Sequence, residues 1–220
     1  MTRKPSKPNV PSKPAAPRRN DVAARAELYP LRRRQVMPRL LAGCGDALVI
    51  AGLGAPAWDV TAAGDRDLSF PLWGAMGGAV AIGLGLALAQ PRRRVLVVTG
   101  DGEFLMGLGM LATVMVHRPR NLSVAVFDNE RYGETGMQVT HTAHDVDLAA
   151  MARAAGWPLT ATVNDDAGLT SALPAILAAD GPVLHVIKVR AEDLPLVLPP
   201  KDGVTLKDRF RKALLGSAAY

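Results

Sequence analysis

A single cysteine, Cys44, stands among the 220 residues of this chain. That scarcity excludes an internal disulfide framework, and it excludes an iron–sulfur cluster or thiolate zinc site built from this chain alone. A chain with one thiol suits a reducing cytoplasm, where it is expected to reside. Aromatic residues are scarce at 5%, so small aliphatic side chains must pack the core. The N-terminus lacks an apolar run, so no signal peptide is expected. The length is enough for one sizeable α/β domain or two small ones.

The folded part also lacks an excess of positive charge. Ten of the 26 basic residues and two of the 20 acidic ones fall within residues 1–34. The remainder then holds sixteen basic and eighteen acidic residues, a mildly acidic body behind a basic leader. A nucleic-acid footprint belongs on the folded face, interleaved with aromatic or polar readers, and no such pattern is present. Nucleic acid is therefore not an expected partner.

Residues 1–20 carry Pro5, Pro8, Pro11, Pro14 and Pro17 at a spacing of three with Lys and Arg between them. This is the polyproline II repeat and reads as a solvated tail. The pattern over 21–193 is α/β. Helical stretches run to about residue 44, then a buried strand over 47–51. A short helix over 57–63 precedes a glycine-rich helix over about 75–90. The clearest strand covers 94–99; a helix over 103–117 and a strand over 122–127 follow it. An irregular loop spans 128–145. Helices over 147–155 and 167–179 alternate with strands over 159–163 and 183–189. Residues 194–220 read as a Pro-rich extension ending in a small amphipathic helix. Alternating strands and helices predict an open, mostly parallel sheet with helices on both faces. Residues 70–89 hold no charge, long enough to span a bilayer. Their five glycines, Pro71 and many alanines predict a helix buried against the sheet instead, so no membrane is an expected partner.

The chemistry sits in Gly100-Asp101-Gly102 at the end of one strand and Phe127-Asp128-Asn129 at the end of the next. Open α/β sheets bind ligands at the carboxyl ends of their strands. The glycines let backbone approach an anionic group, and the following helix offers free N–H groups. Asp101 supplies a charged oxygen and Asn129 an amide oxygen. Mg²⁺ takes a few protein oxygens together with phosphate and water. The pair therefore suits a metal-bridged diphosphate.

These residues resemble the signature of thiamine diphosphate (ThDP)-dependent enzymes, whose second half usually reads Asn-Asn; Asp128 departs from it. The resemblance implies the ThDP-binding fold of the diphosphate-binding (PP) type, with ThDP and Mg²⁺ as cofactors. It implies metal ligation by Asp101, Asn129 and the carbonyl of Arg131, with Glu103, Tyr132, Gly133, Glu134 and Thr135 against the diphosphate. The string NERYGETGMQ is similar to the matching loop in sulfopyruvate and phosphonopyruvate decarboxylases and in the β subunits of 2-oxoacid:ferredoxin oxidoreductases. The latter usually bind an iron–sulfur cluster through several cysteines, which this chain lacks. Gly52, Leu53 and Gly54 match a loop touching the diphosphate. Gly74, Ala75 and Met76 match the stretch that cradles the aminopyrimidine, with the Met76 side chain wedged between the two rings.

In this family a glutamate activates the pyrimidine from a separate pyrimidine-binding (PYR) domain, for which this chain has no room. The resemblance implies a PYR-type partner subunit in a hetero-oligomer, α2β2 or higher, acting on a small 2-oxoacid. A carboligase or lyase subunit uses the same cofactor chemistry, and a non-catalytic ThDP-binding regulatory module is the rival of another class. His141 and His144 follow the cofactor loop; His141 is the candidate for moving a proton, since an imidazole titrates near neutrality.

Overall fold

The computed structural model describes residues 24–219; the proline-rich stretch 1–20 lies outside the described residues. A 3₁₀ turn at Ala26–Leu28 precedes α1 (Arg33–Ala42), β1 (Leu48–Ala51), α2 (Ala55–Ala62) and β2 (Ser69–Pro71). Then come α3 (Ala79–Ala89), β3 (Val95–Gly100), α4 (Asp101–Met106), α5 (Met110–His117) and β4 (Leu122–Asp128). A small hairpin, β5 (Arg131–Tyr132) and β6 (Gln138–Val139), leads to α6 (Leu148–Ala154), β7 (Leu159–Val163), α7 (Asp166–Ala178), β8 (Val183–Lys188) and α8 (Gly203–Leu215).

Six strands form one sheet in the order β2-β1-β3-β4-β8-β7, every pairing parallel. From β1 the chain steps outward to β2, then returns to the other side of β1 as β3. The carboxyl ends of β1 and β3 thus flank the topological switch point, where such sheets open a crevice.

Alternation along each strand feeds two cores. Val49, Ala51, Leu96 and Val98 face α1, α2 and α7. Leu48, Ile50, Val95 and Val97 face α3, α5 and α6, with Phe210 of α8 joining that side. A strand covered on both faces reads as a continuous apolar run, which is why β3 was legible from composition alone.

Two expected elements break where glycine intervenes. The uncharged stretch 70–89 is not one helix: its start is the end of edge strand β2. A turn with positive φ at Ala75 (58°) and Gly77 (89°) follows before α3 begins. Strand β2, three residues long, was too short to show a period. Within α3, Gly83 lies so close to Val97 that a Cβ there would overlap its side chain. Among the described residues, no helix is long and apolar enough to cross a membrane. The expected helix over 103–117 is two helices, because Gly107 abuts the Gly77 backbone.

One core group makes stability depend on pH. His185 of β8 is buried, its Nδ1 without a hydrogen-bond partner among the described residues, and burial lowers its pKa. The unfolded chain then binds the proton first, so His185 contributes stability above its ordinary pKa of about 6.5 and loses it as pH falls below. His185→Leu is expected to flatten the acid limb of the stability profile below about pH 6.5. Equally steep acid limbs in urea unfolding at pH 5 and 7 would refute this assignment.

Candidate cofactor site

Register carries the two signature segments to the same end of the sheet. Gly100 pairs with Phe127, so Asp101 and Asp128 leave neighbouring strands in step and Asn129 follows. Asp101 opens α4 and is 2% exposed. Its Oδ2 accepts from Thr140 Oγ1 at 2.5 Å and Thr142 Oγ1 at 3.1 Å. Burial, reinforced by the Asp128 charge, pushes its pKa up to about 7 against those two hydrogen bonds. Such a carboxyl is short of positive charge, and a divalent cation would supply it. Asn129 is half-buried, and its Oδ1 accepts from the Arg131 N–H at 3.0 Å, folding the loop back on itself.

Behind Asp101 and Asn129 lies a buried charge network. Lys188 Nζ sits 2.8 Å from Asp128 Oδ2 and 2.9 Å from Glu130 Oε1. Glu130 has no exposed surface, holds φ at 59°, and also accepts from Tyr29 Oη at 2.6 Å and Arg25 at 2.9 Å. Burial works to raise Glu130, yet the hydrogen bonds from Tyr29, Arg25 and Lys188 hold its carboxyl below the usual range. Burial likewise works to lower Lys188, and Asp128 and Glu130 together outweigh it, keeping the amine charged. Asp128 has an ion-pair partner in Lys188, which accounts for an acid where the family usually has Asn.

A cavity opens at these strand ends. Leu53, Met76, Gly100, Asp101, Gly102, Glu103, Asn129, Arg131, Tyr132, Gly133, Glu134 and Thr135 of the expected site line it. Gly52, Gly54, Gly74, Ala75 and His141 do not. Gly52 serves from behind: a Cβ there would coincide with the Glu103 carboxylate, which Thr99 Oγ1 holds at 2.6 Å. Burial raises the pKa of Glu103 against the Thr99 hydrogen bond. Gly54, at φ 78°, caps α2 and brings it under Glu134, whose Oε1 accepts from Trp58 Nε1 at 3.1 Å. Gly74 and Ala75 lie exposed beside Met76. The helix expected to begin at Glu103 begins at Asp101, behind Gly100.

In the segment 140–144 the sequence draws attention to the histidines, whereas the fold turns the threonines inward. Thr140 and Thr142 are buried on Asp101, while His141 and His144 are exposed. His141 Nδ1 lies 3.4 Å from Tyr132 Oη. Sequence reasoning also missed Arg33 and Asp59, buried and lining the cavity. Their only signal was the run Arg32–Arg34, counted above with the leader charge; Arg25 and Arg33 belong instead to the folded body.

Among the described residues, no three His, Cys, Asp or Glu groups converge as a metal cluster. A carboxylate, an amide oxygen and backbone carbonyls suit a hard cation that draws its remaining ligands from phosphate and water. The site therefore fits a cation-bridged anion.

Residues 60–187 match the family described as thiamine pyrophosphate enzyme, C-terminal TPP binding domain. The chain is 36% identical over 187 residues to the β subunit of sulfopyruvate decarboxylase from Methanothermobacter thermautotrophicus, covering 85% of this chain and 97% of that one. It is 41% identical over 170 residues to phosphonopyruvate decarboxylase from Streptomyces hygroscopicus, covering 77% of this chain but only 42% of that protein. The crystal structure of a chain described as a thiamin diphosphate-dependent enzyme from Mycobacterium smegmatis superposes with a TM-score of 0.64 at 24% identity. It covers 74% of this chain and 32% of that one, a likeness of fold. The chain thus belongs to the thiamine pyrophosphate enzyme family and carries its C-terminal TPP-binding domain.

Proposed function

We propose that this chain is the ThDP- and Mg²⁺-binding subunit of a two-subunit 2-oxoacid decarboxylase acting on sulfopyruvate, phosphonopyruvate or a close analogue. The activating glutamate comes from a PYR-type partner. The observation that carries this reading is an asymmetry of the cavity. The groups offered to a cation, at Asp101, Asn129 and Arg131, all line the cavity from this chain, whereas each glutamate nearby is already held. Thr99 holds Glu103; Tyr29, Arg25 and Lys188 hold Glu130; Trp58 holds Glu134. The rim at Met76, 37% exposed, and at Gly74 and Ala75 is open. A second chain has both the need and the room to complete it.

When bound, ThDP would supply a nucleophilic carbon and a sink for the electrons of C–C cleavage. The residues of this chain bind and orient. Asp101, Asn129 and the Arg131 carbonyl would hold Mg²⁺, with Thr140 and Thr142 fixing the Asp101 carboxylate. Glu134, tied to Trp58, keeps the segment Tyr132–Thr135 over the site. Gly74 and Met76 would receive the aminopyrimidine.

Affinity purification of this chain from its source cells is expected to bring down a stoichiometric PYR-type subunit. The pair should release CO₂ from sulfopyruvate or phosphonopyruvate only with both ThDP and Mg²⁺, and the chain alone should release none. Decarboxylation by the chain alone would overturn the split-site reading. Recovery of the chain without a partner would favour a regulatory ThDP-binding module.

A further inference from the structure

Met76 stands in a turn that its own residues do not hold. Ala75 has φ 58° and Gly77 φ 89°, and a left-handed alanine persists only where its surroundings fix it. Within the turn, the Gly78 N–H donates to Ala75 O at 2.7 Å. Helix α3 follows with Gly78 as its N-cap, no side-chain cap and no acidic residue in its first turn. Its first N–H groups thus lack from their own segment both the acceptor and the negative charge that a helix start favours.

Helix α4 supplies both from the end of β3. Glu103 is 4% exposed, and Thr99 Oγ1 donates to its Oε2 at 2.6 Å. Burial raises the pKa of this carboxyl, and Thr99 with the backbone N–H groups of Ala79, Gly77 and Leu53 works against that rise. These N–H groups therefore face the carboxylate. Ala79 opens α3, Gly77 closes the Met76 turn, and Leu53 follows β1. Glu103 Oε1 is buried and closes no hydrogen bond among the described residues, so the dipoles of those N–H groups are what compensates it. The far end of α4 meets the same turn, since a Cβ on Gly107 would collide with Gly77 O. Direct contact between Glu103 and a diphosphate would set like charges together, whereas a helix start is where a buried carboxylate is favoured.

We propose that Glu103 is a positioning residue whose carboxylate caps α3 from the end of β3 and so holds Met76 against the ring end of the cofactor. The proposal rests on ThDP occupying this cavity, as read above. Glu103 then serves the rings, while Asp101, in the same turn of α4, serves the diphosphate.

The test is calorimetric titration of the full chain, with any subunit that co-purifies, in Mg²⁺. The two probes are ThDP and inorganic pyrophosphate, which lacks both rings. Glu103→Met keeps the length of the side chain and removes its acceptors. It is expected to weaken ThDP about 10- to 100-fold, the range for losing charge-assisted contacts to N–H groups. Pyrophosphate should bind within about twofold of wild type, so the preference for ThDP over pyrophosphate falls by nearly the whole loss. A merely structural role would weaken both probes together. Glu103→Gln keeps one acceptor without the charge and should lose ThDP about 3- to 10-fold, again sparing pyrophosphate. It decides the matter if Glu103→Met fails to fold. Unchanged ThDP affinity in every variant that folds, or equal weakening of the two probes, would overturn the proposal. A wild-type protein that binds pyrophosphate but not ThDP, or neither, would instead remove the cofactor reading, and the role of Glu103 with it.

Discussion

Asp101→Asn is expected to reduce Mg²⁺-dependent ThDP affinity by at least about 100-fold, beyond the ~10–100-fold typical of losing a group that merely supports a metal ligand. The substitution keeps an oxygen that can accept from Thr140 and Thr142, so their buried hydroxyls need not be orphaned. What it removes is the charge. Because Asp101 is 2% exposed, bulk water cannot stand in for that charge at the cation. Titration with ThDP at fixed Mg²⁺, paired with a cofactor-free melting curve, separates lost ligation from lost folding. A variant that melts normally and binds ThDP as wild type would end the assignment of Asp101 as the metal ligand.

The second large effect is expected at Lys188, which no cofactor contact requires. Its amine neutralises Asp128 and Glu130, side chains 1% and 0% exposed. Lys188→Met would leave Asp128 buried with only the Thr142 hydroxyl and the Glu130 N–H for company. Removing one partner of a buried ion pair typically costs about 3–5 kcal/mol. Urea unfolding should show a loss of that size. A difference below about 1 kcal/mol would mean that Asp128 is protonated or rehydrated in the folded chain. Asn129 lies between the two acids that Lys188 holds. The variant should therefore also bind Mg²⁺ and ThDP more weakly at temperatures where it is still folded. Lys188→Met/Asp128→Asn should recover most of the stability, because the orphaned charge is gone.

Both predictions concern one loop, yet their partners differ in how far the sequence disclosed them. Asp101 and Asn129 were visible as candidate ligands because each directly follows an apolar strand at the carboxyl end of the sheet, where such folds bind ligands. Met76, Leu53 and the segment 131–135 were reached through the family resemblance, and the structure lines the cavity with them. Thr140 and Thr142 were passed over in favour of His141, because a histidine advertises chemistry in a sequence and a threonine does not. Only the chain path decides which of two alternating side chains faces inward.

The sequence by itself determined the alternation of strands and helices and the doubly covered parallel sheet, and it marked Asp101 and Asn129 at neighbouring strand ends, since each follows from local periodicity or from residues adjacent to a strand end. Tertiary structure decided the rest. Glu130 meets Arg25 from 105 positions away and Lys188 from 58. Arg33 meets Asp59 across 26, and the expected helix over 103–117 breaks where two glycines bring separate segments into backbone contact. Charges in a sequence read as solvated until a fold removes their water. Once buried, each must find a partner, and the sheet order β2-β1-β3-β4-β8-β7, not chain distance, determines which partner is within reach.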